Sequence, residues 1–225
     1  MVCVQIFLIT IYSLLPAAVS LVAINLEIFP FVTYPAGKAL MLGLPIAVWK
    51  LSRMDWRQIG AQAGVKRTSF SMGLLLSVLF AGVILGIYFL VFRHYLEPGP
   101  VKTKVESLGI LNYYWFAAIY FSLGNAFLEE YYFRGFLVGR VEKINIGAAG
   151  NGAINAAVFS LHHFVVLITM FGPGLTIFLS AGTAAAGFIW GYARARGVSI
   201  FDLYMSHVVA DLAIFAAGWH LISAA

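Results

Sequence analysis

The sequence predicts an all-α integral membrane bundle with about seven transmembrane helices. Three observations carry that prediction. The chain is 62% hydrophobic and only 10% charged, where soluble domains are about half apolar and a quarter charged. Its mean hydropathy is +0.92. Uncharged runs long enough to cross a bilayer recur along it, separated by short basic or Pro/Gly-rich stretches. These features exclude a water-soluble globule, a disordered chain and a coiled coil. Cys3 is the only cysteine, so no intrachain disulfide can form. No stretch has the length and polarity of a separate soluble domain, so residues 1–225 read as a single integral-membrane domain. The net charge of +5 does not point to nucleic acid, because the basic residues lie in short loops between apolar runs.

Met1 to Leu26 holds no charged residue and is long enough for a first span. Ala18-Val19-Ser20 is a small-x-small triplet, but the basic start of a cleaved leader is missing. Residues 27–49 are interrupted by Pro30, Pro35 and Pro45, and whether they cross stays open. Lys50 to Arg67 reads as a polar loop, and Phe70 to Phe92 as a span. Arg93 to Glu106 reads as a loop, because the cluster Glu97-Pro98-Gly99-Pro100 should break a helix. Ser107 to Leu128 is uncharged and aromatic. It runs straight into Glu129-Glu130-Tyr131-Tyr132-Phe133-Arg134. Ile144 to Ala193 lacks any Asp, Glu, Lys or Arg, and Phe171-Gly172-Pro173-Gly174 splits it into two spans. A last span covers about Ile200 to Ile222 and contains Asp211.

With seven spans, one side collects Lys50, Arg53, Arg57, Lys66, Arg67, Arg134, Arg140, Lys143, Arg194 and Arg196. The other collects Lys38, Arg93, Lys102 and Lys104. The positive-inside rule then places the N-terminus in the cytoplasm and the C-terminus outside.

Charged and titratable groups inside apolar spans are costly, and by default they mark function or a paired structural site. Glu130 and Arg134 are four residues apart on a predicted helix, with Glu in the favourable N-terminal position for an ion pair. Glu129 is rotated by about 100° from Glu130. A carboxylate taken out of water titrates upward, which is how a general base or acid becomes usable near neutral pH. Phe159 and His163 are also four apart and share a face with Asn155, while His162 points elsewhere. His207 and Asp211 repeat the spacing in the last span. An Asp beside a His can fix its tautomer and stabilise its cation. Each pair alone also reads as a boundary charge or a packed polar pair. Together they place polar pairs on three separate spans, at depths that one water-filled cavity opening inward could contain.

The order Glu129-Glu130-x-x-x-Arg134, Phe159-x-x-x-His163, His207-x-x-x-Asp211 resembles the CAAX prenyl endopeptidase and bacteriocin-processing family. These are glutamate-type intramembrane proteases that include the Abi proteins. The resemblance covers about Ser107 to Ala225. It implies a membrane endopeptidase in which Glu129 and His163 activate a water. His207 and Asp211 would stabilise the oxyanion, and Glu130, Arg134 and Phe159 would support the site. It implies no cofactor and no metal. The substrate would be a membrane-anchored protein or peptide carrying a C-terminal tag, a leader peptide or a prenylated tail. Some members carry Asn where this chain has Asp211; an ionised Asp cannot donate to an oxyanion as an amide can. The compact, short-looped chain suggests a prokaryotic cytoplasmic membrane.

Three other functions fit the residues. Glu129, His163, His207 and Asp211 are competent zinc ligands, so a zinc-dependent membrane metalloprotease is one, although no His-x-x-x-His pair supports it. A non-catalytic immunity or scaffold protein that binds a peptide or partner is another. A proton-coupled transporter is the third, with no inverted repeat to favour it.

Overall fold

The computed structural model describes residues 2–66, 69–107 and 109–223. Arg67, one of the basic residues used for orientation, lies outside them. Among the described residues every regular element is helical. The protein is a polytopic helical membrane bundle. Among the described residues, five helices are long and apolar enough to cross a bilayer: Cys3–Asn25, Pro30–Leu51, Ser71–His94, Pro173–Ala195 and Ile200–Ser223. Many large apolar side chains, among them Phe31, Leu90 and Phe116, face outward. Lipid tolerates such a surface and water does not.

The chain divides into two compact units. One comprises Met1–Arg67 and Leu128–Ile200, the other Thr68–Phe127 and Phe201–Ala225.

In the first unit, α1 (Val2–Ser20) continues as a π-helical turn over Leu21–Asn25. Pro16 lies inside α1. Proline has no N–H, so the Tyr12 carbonyl loses its helical donor. The Tyr132 hydroxyl supplies one at 2.8 Å. α2 (Pro30–Leu51) is continuous through Pro35 and Pro45, so most of the stretch 27–49 lies in one span-length helix rather than in broken pieces. Pro30 occupies the first turn, where its missing N–H costs nothing. Pro45 deprives the Met41 carbonyl of its donor, and in the same turn the neighbouring Leu42 carbonyl accepts from the Tyr131 hydroxyl at 3.0 Å. Outside donors of this kind let proline persist in membrane helices.

The polar stretch 50–67 is not all loop. It holds a short amphipathic helix, α3 (Trp56–Ala63), started by a reciprocal cap between Asp55 and Gln58. Ile59 and Ala63 face inward, while Trp56 is exposed with the Lys50 ammonium over its ring at 3.8 Å. This is the arrangement of a helix lying in a membrane interface.

The core of this unit forms where Tyr132, Phe133, Phe136 and Leu137 are fully buried with Trp49. Phe136 meets Tyr12 and Trp49 edge-on at 5.0 and 5.6 Å. α9 (Gly147–Leu167) and α10 (Pro173–Ala195) are joined by the expected Phe171–Gly174 break and pack face to face. Glycine makes the approach possible. A Cβ on Gly191 would lie 2.6 Å from the Asn155 Cβ, and one on Gly187 would lie 2.9 Å from the Asn155 carbonyl. α9 carries Asn151, Asn155, His162 and His163 and is not among the five self-sufficient spans.

The second unit contains α4 (Ser71–Leu90), α5 (Pro98–Ser107), α6 (Tyr114–Tyr120) and α11 (Ile200–Ser223). α5 corrects the expected loop at 93–106. The helix begins at Pro98, and a first-turn proline starts a helix rather than breaking it. Tyr88, Ala217 and Leu221 form a core cluster with Leu85, Phe92, Leu96 and Val101 packed on it. The Tyr88 hydroxyl meets His220 Nδ1 at 2.8 Å.

Candidate active site

The acidic motif sits where the backbone departs from α-helical geometry. Helical conformation runs without a break from Leu111 to Ile144, through a π-helical turn (Phe121–Asn125), a four-residue α-helical piece (Ala126–Glu129) and an eight-residue π-helical stretch (Glu130–Leu137). Such widened turns are uncommon and gather at functional sites. Glu129 and Glu130 lie at the junction of the last two. Both are about 1% exposed, and Arg134 is fully buried.

Arg134 Nη1 stands 3.0 Å from Glu130 Oε1. The guanidinium also lies against three aromatic rings, at 4.4 Å from Phe159, 4.9 Å from Trp190 and 5.7 Å from Phe133. An arginine sealed from water needs both an opposite charge and polarisable faces, and this one has both. The expectation that Arg134 counts among the cytoplasmic loop charges is therefore corrected: it is interior. Arg194 is buried too, its Nη2 donating to the Gln62 carbonyl at 2.7 Å.

Phe159 touches both Arg134 and His163. The His163 ring lies 4.3 Å from the Phe159 ring, and His163 Nδ1 is 2.9 Å from the Phe159 carbonyl. The i,i+4 spacing thus brings this pair together through ring and backbone. Next to it, His162 is buried rather than turned away from the site. His162 Nε2 lies 3.5 Å from Glu129 Oε1. Its Nδ1 lies 3.2 Å from both Ser20 Oγ and the Pro16 carbonyl on α1. The sequence offered one signal for this contact: two consecutive histidines in an apolar span, opposite a first span with few polar residues. Spacing alone could not say which histidine faces which glutamate.

His207 and Asp211 belong to the second unit. His207 Nε2 is 3.7 Å from Asp211 Oδ1, beyond hydrogen-bond length but within ion-pair reach. His207 is buried, and Asp211 is partly exposed. The neighbouring Ser206 hydroxyl donates to the Leu203 carbonyl at 2.7 Å. Among the described residues no three His, Cys, Asp or Glu side chains are grouped as a metal-binding set.

Residues 111–213, just under half of the chain, match the family model described as Rce1-like, Type II CAAX prenyl endopeptidase Rce1-like. Over these residues the chain is similar to the CAAX prenyl endopeptidase family. The matched segment contains Glu129, Glu130, Arg134, Phe159, His162, His163, His207 and Asp211. It does not reach Pro16 or Ser20. No curated protein and no solved structure matches the chain. That family is one of proteases.

Proposed function

We propose that this protein is an intramembrane endopeptidase that hydrolyses a peptide bond with an activated water. The observation that carries the reading is a pair of adjacent glutamates buried in an apolar helix, within the segment that matches a protease family. Glu130 is matched by Arg134, and an imidazole lies beside Glu129.

The chemistry divides into two demands. Water is a poor nucleophile, so a base must take its proton as it attacks. Glu129 and His163 are the groups proposed for that step, with Glu129 receiving the proton and His163 orienting the water. The carbonyl oxygen then acquires negative charge and needs preplaced donors where bulk water is scarce. His207 is the proposed donor. An ionised Asp211 has no proton to give, so its proposed part is to orient His207 from 3.7 Å. The amine leaving group takes a proton back as the tetrahedral intermediate collapses, which returns Glu129 to its starting state. Glu130, Arg134 and Phe159 hold the helices that present Glu129 and His163.

The proposed substrate is a membrane-associated protein or peptide, cut near a C-terminal tag, a leader or a prenylated tail. A prokaryotic cytoplasmic membrane is the proposed location. The test compares wild type with Glu129→Gln in membranes of one host, profiling the termini of small membrane proteins and peptides by mass spectrometry. Termini made only by wild type are expected. Identical termini, with both proteins folded and expressed at equal levels, would shift the reading to a non-catalytic immunity or scaffold role.

A further inference from the structure

We propose that His162 is the positioning residue of Glu129, and that the first helix, through Pro16 and Ser20, holds it in place. This rests on the water-activating part assigned to Glu129 above.

The argument starts from a carbonyl. The Pro16 oxygen can only accept a hydrogen bond, and His162 Nδ1 lies 3.2 Å from it. Nδ1 must therefore carry the proton in that contact. Ser20 Oγ, also at 3.2 Å, shares the same N–H as a second acceptor. With Nδ1 committed to α1, the ring has one nitrogen left, and Nε2 stands 3.5 Å from Glu129 Oε1. The Nε2 edge of the ring therefore faces Glu129 Oε1, and the imidazole limits the rotation of the carboxyl group on that side.

The ring itself has little freedom. His162 is about 5% exposed, and the rings of Phe133 and His163 lie 6.2 and 5.2 Å away. The His163 ring meets it edge-on at 87°. A buried imidazole needed only for packing could be an apolar side chain. This one connects a backbone carbonyl of α1 to a buried carboxylate on another helix. It is the same logic by which the outer partner of a catalytic or metal-bound histidine fixes its tautomer, here run from backbone through histidine to the acid. The consequence is that α1, outside the family-matching segment, contributes to the orientation of the proposed base.

Two conservative substitutions separate positioning from packing. His162→Gln places an amide near the former Nε2 and keeps the contact with Glu129, while losing the tie to α1. His162→Asn keeps a donor near the former Nδ1 and the tie to α1, but cannot reach Glu129. His162→Leu loses both. The termini profile of wild type, Glu129→Gln and these three variants is read in the same membranes, with helicity checked for each. The expected result is about a 100-fold loss of wild-type termini in His162→Leu and His162→Asn, with most of it restored in His162→Gln. Restoration by Asn and not by Gln would assign His162 to holding α1 and overturn the proposal. Full yield in His162→Leu beside none in Glu129→Gln would overturn it while leaving the protease reading intact. Equal termini in wild type and Glu129→Gln would remove the protease reading, and the positioning of a base with it.

A spectroscopic arm reads the contact without any substrate. The full chain, labelled with 15N-histidine and placed in lipid nanodiscs, gives signals from 5 histidines; the one lost in His162→Gln belongs to His162. Glu129→Gln should move its Nε2 resonance, and Ser20→Ala its Nδ1 resonance. An Nε2 signal indifferent to Glu129→Gln would overturn the proposed link.

Discussion

Removing Glu130 takes from the fully buried Arg134 the carboxylate that stands 3.0 Å from its guanidinium. Breaking one partner out of such a pair costs about 3–5 kcal/mol. Glu130→Ala is therefore expected to lower the midpoint of unfolding in detergent sharply, while Glu129→Gln, which keeps shape and hydrogen-bonding capacity, shifts it little. A circular-dichroism melt of both variants checks the contrast; equal midpoints would remove Arg134's dependence on Glu130. The ion pair was legible in the sequence because it is local: one helical turn sets it. Phe159 was legible only as a spacing. Its contact with the Arg134 guanidinium depends on α9, α10 and the acidic helix converging, which no local pattern encodes. The approach of His162 to Glu129 was not legible for a similar reason. Adjacent residues on one helix differ by about 100° in direction, so a small change in helix rotation exchanges their neighbours.

At the scale of the element, proline and tyrosine act as complements. Pro16 leaves the Tyr12 carbonyl without a helical donor, and the Tyr132 hydroxyl fills the gap at 2.8 Å. Tyr132→Phe should cost about 1–3 kcal/mol by orphaning that carbonyl. In a Pro16→Ala background the restored N–H can bond Tyr12, so the same substitution should cost much less. A double-mutant cycle on the unfolding midpoint measures the difference, and additive effects would contradict the account. The helices that sequence placed correctly were those whose punctuation is a one-sided signal, such as the Gly-Pro break at 172–173. Pro98 does not break a helix because it stands in a first turn, and the stretch 27–49 stays open in the sequence because proline spacing alone does not say whether a helix continues through it. The Asp55-to-Gln58 cap was readable in advance; net polarity masked it. The π-helical stretch at 130–137 left no local signature, because an α-helix over the same residues would satisfy the same pattern.

For the whole molecule, composition alone was enough to indicate a membrane bundle, since no soluble core could absorb so much apolar surface. Orientation was weighed with charges that do not all lie at the surface: Arg134, Arg140 and Arg194 are interior. Lys50, Arg53, Arg57, Lys66, Lys143 and Arg196 remain exposed on the proposed cytoplasmic side. The proposed orientation makes Cys3, the only cysteine and an exposed one, reachable from the cytoplasm. A membrane-impermeant maleimide should label it in inverted vesicles and not in intact cells; the opposite pattern would invert the topology.

The Glu130–Arg134 pair has a further consequence during synthesis. Phe159 and Trp190, whose rings later close over the guanidinium, are made after it. An arginine entering a bilayer alone faces a penalty of about 2.5–3.5 kcal/mol at the insertion machinery. Arg134 emerges from the ribosome four residues behind its own counter-ion, so the nascent helix can partition into lipid already neutralised, before the rest of its surroundings exist.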